Sequence, residues 1–248
     1  MLEKIRELEH ISLRAWAALE SEIYDGWILR YANGYTGRAN SVQPLDSSSL
    51  PLDEKMAYCE NFYAERNLPC IFRLTEAMQP SHLETILDER GYEPYNETLV
   101  QTADLSNQDF AADDRFHYSD TVSDDWLAAW GGWNDVPEQH IATAKQMLSQ
   151  TSAEKCFAWI EDVAVGLAVY EGEHVGLFDI VVNPEYRRQK AGNALVKGLL
   201  AWGTSQGART AYLQVVSINI PALALYGKLG FTNHHRYWYR RKQIITKL

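Results

Sequence analysis

The chain has 248 residues, 46% hydrophobic and 23% charged, with a formal net charge of −10. That length suits one large or two ordinary domains, and the composition is that of a globular protein with a core. No apolar run reaches the roughly 18 residues of a membrane span, the charged start MLEKIRELEH lacks a signal core, and three cysteines without CxxC spacing (Cys59, Cys70, Cys156) argue for reduced thiols in a cytoplasm rather than a disulfide frame or a zinc site.

In chain order, GWILRYA and RANSVQPL read as strands, LDEKMAYCENFYAERN as a helix and PCIFRLTEA as a strand. PSHLETILDERGY follows as a helix and ETLVQTADL as a strand. The stretch SNQDFAADD is polar and aperiodic, which places a domain boundary there: an N-terminal α/β domain over 1–110 and a second domain over 113–248. Beyond it, SDDWLAAWGGW and PEQHIATAKQMLSQ read as helices, and CFAWIE, VAVGLAVYEG and HVGLFDIVVN as three successive strands. AGNALVKGLLAWGTSQG puts Ala191, Ala194, Leu195, Leu199 and Trp202 on one helical face, with Gly207 at its stop. TAYLQVV is a buried strand, IPALALYGKLG a helix with Pro221 in its first turn, and HRYWYRRK a final alternating strand. The fold class is therefore mixed α/β. LDERGYEPYNETLVQTA and YGKLGFTNHHRYWYRRK both run helix, Gly-aromatic, strand. A duplication explains this, and so does an ordinary helix–Gly–strand joint.

Charge is segregated. Residues 1–112 carry 9 Lys/Arg against 19 Asp/Glu, residues 113–182 carry 3 against 13, and residues 183–248 carry 11 against 1. The basic last quarter suggests an anion site. Nucleic acid is a poor candidate, because the acidic remainder would repel a phosphate backbone. The cations Arg187, Arg188 and Lys190 stand where a strand hands over to a helix, beside Gly192. A helix start already exposes unpaired N–H groups and a positive dipole end, so cations there call for an anionic ligand.

Two motifs carry a resemblance. Val182, Pro184, Arg187, Lys190 and Gly192 follow the pattern Val-x-Pro-x-x-Arg-x-x-Gly-x-Gly/Ala, and Asn219, Ala222, Leu225, Tyr226, Gly230 and Phe231 follow Asn-x-x-Ala-x-x-Leu-Tyr-x-x-x-Gly-Phe. In this order and spacing, residues 115–245 resemble the GCN5-related N-acetyltransferase (GNAT) superfamily. The resemblance implies a GNAT fold in the C-terminal half, with the N-terminal half a degenerate copy if the duplication holds, and acetyl-CoA as cosubstrate without a metal. It implies that the loop and helix start, Arg187, Arg188, Gln189, Lys190, Ala191, Gly192 and Asn193, hold the pyrophosphate, and that the backbone of Ile180, Val181 and Val182 pairs with the pantetheine arm. It implies further that Tyr226 gives a proton to the leaving thiolate, while Asn219 caps its helix or bonds the cofactor arm. Lys190 departs from the family, which has Gly at that place. Only its N–H has to face the phosphate, so its side chain is expected to point outward.

The expected activity is transfer of an acetyl group to a primary amine of a small molecule or a protein by direct attack. No GxSxG elbow or Cys–His signature supports a covalent intermediate. The alternatives are a longer acyl-CoA as donor, or a CoA-binding sensor without turnover. Candidate bases for the amine are Asp179, Glu161, Asp162, Glu171, Glu173 and His174. Alternation places Asp179 on the face opposite Phe178 and Ile180. GWILRYANGYTGRANSV admits two readings, an acceptor-pocket lining or a plain hairpin with an Asn-Gly turn.

Overall fold

The computed structural model describes residues 1–243. The elements are α1 (Leu2–Ala15), β1 (Glu20–Tyr24), β2 (Trp27–Tyr31), β3 (Val42–Gln43), α2 (Leu52–Ala64), β4 (Cys70–Thr75), α3 (Leu83–Glu89), β5 (Glu93–Asp104), β6 (Phe116–Ser119), α4 (Asp124–Trp133), α5 (Glu138–Gln150), β7 (Glu154–Ile160), β8 (Ala164–Glu171), β9 (His174–Val182), α6 (Ala191–Gln206), β10 (Thr210–Val216), α7 (Ile220–Lys228) and β11 (Thr232–Lys242). Local chemistry explains the boundaries. Ser123 caps α4 by accepting from the Trp126 N–H at 3.1 Å, and Gly207 ends α6 at φ 104°. Asn33 (φ 49°) and Gly34 (φ 71°) form the Asn-Gly turn after β2.

Three elements were not read from the sequence. The α1 helix buries Ile5, Leu8, Ile11 and Ala15, an apolar stripe hidden among charged neighbours. The β1 strand is polar and mostly exposed, and β6 is only four residues long. RANSVQPL supplies just the two residues of β3. Residues 37–39 wind into a 3-10 turn, and the Asn40 side chain holds the loop by accepting from the N–H groups of Ala32 (2.8 Å) and Gly34 (2.9 Å).

The chain packs as two units. The first comprises residues 1–10, 17–98 and the described chain from His235, and the second residues 11–16 and 99–234. In the first, the strand order is β1-β2-β3-β4-β11, with β3 and β4 parallel and β4 and β11 antiparallel. Its core gathers Trp27, Met56, Phe72, Leu87 and Tyr92. It also buries ions. Glu9 pairs with Arg73 and accepts from His235 Nε2 at 2.7 Å, all three side chains being almost inaccessible. Burial pushes the Glu9 carboxyl up, but Arg73 and the His235 hydrogen bond outweigh it and hold it down at about 2.

In the second unit the order is β10-β9-β8-β7-β6, with the Leu99–Asp104 end of β5 beside β10. The α6 helix covers one face through Leu195, Val196, Leu199 and Leu200, against Ala164, Ala168, Val175 and Leu177. On the other side Phe178 stacks on Trp16 at 5.5 Å and meets Tyr212 edge-on.

Candidate active site

The site begins with two irregularities in β9. Pairing of β8 with β9 slips between Val165 and Leu167: Leu167 lies opposite Phe178, but Val165 lies opposite Val181. The extra residue marks a β-bulge, and Asp179 there takes φ 50°. The bulge breaks the alternation read from sequence. Phe178 faces Trp16, whereas Ile180 reaches the α6 side, its Cδ1 standing 2.8 Å from where a Gly166 Cβ would lie, beside Leu195 and Leu199. Phe178 and Ile180 thus point to opposite faces, not to one. Beside β10, the parallel register runs from Thr210↔His174 to Leu213↔Leu177, and beyond it the strands continue unpaired with each other, β9 to Val182 and β10 to Val216. The sheet opens where the bulge sits.

At the end of β9 the chain turns through a short helical turn, Pro184–Tyr186, and enters α6. Arg188 (φ 62°) and Lys190 (φ 65°) both adopt left-handed backbone, which non-glycine residues take only at a cost of roughly 1–2 kcal/mol. This is the physical meaning of a glycine at the place of Lys190. The Lys190 side chain is exposed and lines the cleft described below. The first α6 backbone bond runs from the Ala194 N–H to the Lys190 carbonyl at 3.1 Å, so the N–H groups of Ala191, Gly192 and Asn193 face the helix mouth. Arg187, Arg188 and Lys190 are exposed, and among the described residues none of them has a carboxylate partner.

A cavity of about 720 Å³ joins these features. Ile180 and Val182 line it from β9; Arg187, Arg188, Lys190, Ala191, Gly192 and Asn193 line it from the loop and helix start; Asn219 and Tyr226 line it from α7. A Cβ on Gly192 would come within 3.3 Å of Leu225 and 3.4 Å of Val182, so the wall is already closed there. Asn219 caps α7, accepting from the Ala222 N–H at 3.3 Å. Tyr226 is buried, edge-on to Phe231, and burial pushes its hydroxyl up to about 12. Of the residues singled out in the sequence, Val181 and Gln189 do not line the cavity. Val181 is buried on the opposite face, and the Gln189 side chain bonds the Glu185 carbonyl at 3.2 Å. Tyr186, Pro221, Ala222, Ala224, Leu225 and Lys228 complete the lining. Except for the motif's own Ala222 and Leu225, these lie at variable places of the two motifs, so the pattern could not single them out.

A polyanion fits this arrangement: cations without acids, open N–H groups and an apolar cleft leading to a tyrosine. Residues 3–240 match the family described as probable histone acetyltransferase Rv0428c C-terminal. The chain belongs to this acetyltransferase family. It is 30% identical to the uncharacterized N-acetyltransferase YobR of Bacillus subtilis (strain 168) over 254 residues, which span 98% of this chain and all of YobR. Its fold is that of a GCN5-related N-acetyltransferase from Kribbella flavida, with a TM-score of 0.67 at 12% identity over 96% of this chain and 95% of that one. It is likewise similar to a tandem GNAT protein from the clavulanic acid biosynthesis pathway, with a TM-score of 0.63 at 12% identity over 95% of this chain and 87% of that one. Family and fold together make it a GNAT-type acetyltransferase.

Within this GNAT chain the candidate bases separate. Glu171 pairs with Arg14 at 2.6 Å and Glu173 with Arg209 at 3.5 Å, and both lie at the β8–β9 turn, far along the strand from the bulge. His174 starts β9 at that same end. Glu161 and Asp162 line a different cavity. Asp179 sits in the bulge itself. The GWILRYANGYTGRANSV segment forms the hairpin-like turn and clasped loop described above; its Arg30 is buried and donates to the Arg38 carbonyl at 2.8 Å. Among the described residues, no helix is long and apolar enough to cross a membrane.

Proposed function

We propose that the protein transfers an acetyl group from acetyl-CoA to a primary amine of a small molecule or protein, by direct attack of the amine. The observation that carries this reading is the set of three acid-free cations at the open mouth of α6, at one end of a cleft that reaches Tyr226. Bound there, acetyl-CoA supplies a thioester as acetyl donor. Arg187, Arg188 and Lys190 offset phosphate charge, and the N–H groups of Ala191 to Asn193 donate hydrogen bonds to the pyrophosphate oxygens. On its β10 side the backbone of β9 is unpaired from Ile180 to Val182 and available to the pantetheine arm. The Tyr226 hydroxyl, protonated at neutral pH as any tyrosine is and pushed up further by burial, gives its proton to the departing thiolate. The nitrogen's proton leaves to water or to a base. We assign catalysis to the domain 113–248 and read 1–110 as a degenerate GNAT-like copy. This assignment is supported by the shared order β3-α2-β4-α3-β5 and β9-α6-β10-α7-β11. A cytoplasmic setting is supported by three buried cysteines, all free thiols.

The test is thiol release from acetyl-CoA with a panel of amines, on wild type and Tyr226→Phe. Turnover is expected to fall roughly 10²-fold in the variant, with melting temperature and acetyl-CoA affinity little changed. Tight CoA binding without turnover on any amine would indicate a sensor instead, and turnover only with longer acyl-CoA would move the donor.

A further inference from the structure

The second unit holds another cavity, of about 630 Å³, walled by α4 and the end of β7. It lies across the sheet from the cofactor cleft. Val165 lines it, and the register partner of Val165 is Val181, so the two side chains share a face. Ile180 and Val182, on either side of Val181, line the cofactor cleft on the opposite face. One pair of strands therefore separates the two spaces, at the place where the sheet opens.

The chemistry of its walls is one-sided. Asp125, Glu161 and Asp162 line the cavity, and no Lys or Arg does. None of the three has an ion-pair partner among the described residues, whereas the neighbouring Asp124 is paired with Lys145 at 2.6 Å. The half-buried indoles of Trp133 and Trp159 line the same cavity, Trp159 being braced by a stack on His117 at 5.8 Å. Indole faces attract ammonium and guanidinium groups, and carboxylates supply the counter-charge. Anions are repelled from such a space.

We propose that this cavity seats a cationic group of the acceptor, so that the preferred amine substrate carries a second positive charge, an ammonium or guanidinium, besides its reacting amine. The proposal rests on the acetyltransferase reading above. The probe is agmatine, which has a primary amine and a guanidinium, compared with pentylamine, which has the amine alone. With wild type, KM for agmatine is expected at least tenfold below that for pentylamine. Asp125→Asn combined with Glu161→Gln, both at exposed positions, should bring the two KM values together while the melting shift with acetyl-CoA stays as in wild type. Equal KM values in wild type, or a preference that survives in the double variant, would overturn the proposal. If neither amine is acetylated, calorimetric titration of the protein with agmatine decides: binding that the double variant loses supports the cavity, and no binding sinks it. Failure of acetyl-CoA to shift melting strikes the acetyltransferase reading alone.

Discussion

The molecule contains two strand–helix–parallel-strand passages, β3-α2-β4 and β9-α6-β10, and they treat charge in opposite ways. The first helix, α2, opens on Pro51 with Asp53 and Glu54 in its first turn, satisfying the helix dipole from within. Lys55 and Arg73 of that unit turn inward. Lys55 is fully buried, donating to the Asp25 carbonyl at 2.6 Å over the Trp27 ring, and Arg73 is locked to Glu9. The second helix, α6, has no acid in its first turn, and three exposed cations precede it. One unit thus answers buried cations with its own carboxylates, Glu9 for Arg73 and Asp25 for Lys55, while the other presents three exposed cations at a helix start.

Removing an internal counter-charge should cost most. Glu9→Gln leaves Arg73 buried without its carboxylate, and a loss of about 3–5 kcal/mol in urea unfolding at pH 7 is expected. Glu9 also gives that unit an acid sensitivity. Its carboxyl is held at about 2 in the folded protein against 4.5 ordinarily, so its contribution is complete above pH 4.5 and fades as pH falls towards 2. Wild type should lose this increment over that interval, while Glu9→Gln should not. An unchanged stability in the variant would show the buried pair to be energetically idle.

The receptor side should respond through its ligand instead. Gly192→Glu puts a charged side chain against Leu225 and Val182 at the helix mouth. The stabilisation by acetyl-CoA, about 2.7 kcal/mol at a hundredfold excess over Kd, should vanish from melting scans, with the unliganded melting temperature reduced only slightly. A full melting shift in this variant would move the phosphates elsewhere. The smallest effect is expected at Lys190→Gly. It relieves a left-handed lysine and should raise unfolding free energy by about 1 kcal/mol, with acetyl-CoA affinity kept or improved. A collapse of affinity would mean that the Lys190 ammonium, not only its N–H, holds the ligand.

What could be read from sequence follows from how local each feature is. The loop from Arg187 to Asn193 is contiguous, so its cations, its helix start and its departure at Lys190 were visible together. Asn219 and Tyr226 came from the second short motif. The Asp179 bulge was invisible, because a one-residue insertion leaves an apolar strand looking regular, and the expected facing of Phe178 and Ile180 failed there. The acidic-aromatic cavity draws on α4, the β7–β8 turn and β8, which lie about 40 residues apart in the chain, and only packing assembles it. In α1 the signal existed in Ile5, Leu8 and Ile11, but dense charge masked it.

The pairing of β4 with β11 sets Thr75 opposite Tyr237, 162 positions later in the chain. So distant a contact has consequences for the order of folding. While the protein is being synthesised, the first unit has all its helices and four of its strands long before β11 leaves the ribosome. Until then one edge of β4, whose six residues are all buried in the finished protein, stays open. It must wait as an unsatisfied template, exposed to pairing with other nascent chains. A strand made late therefore closes the first unit, and a chain interrupted before β11 would leave β4 without that partner.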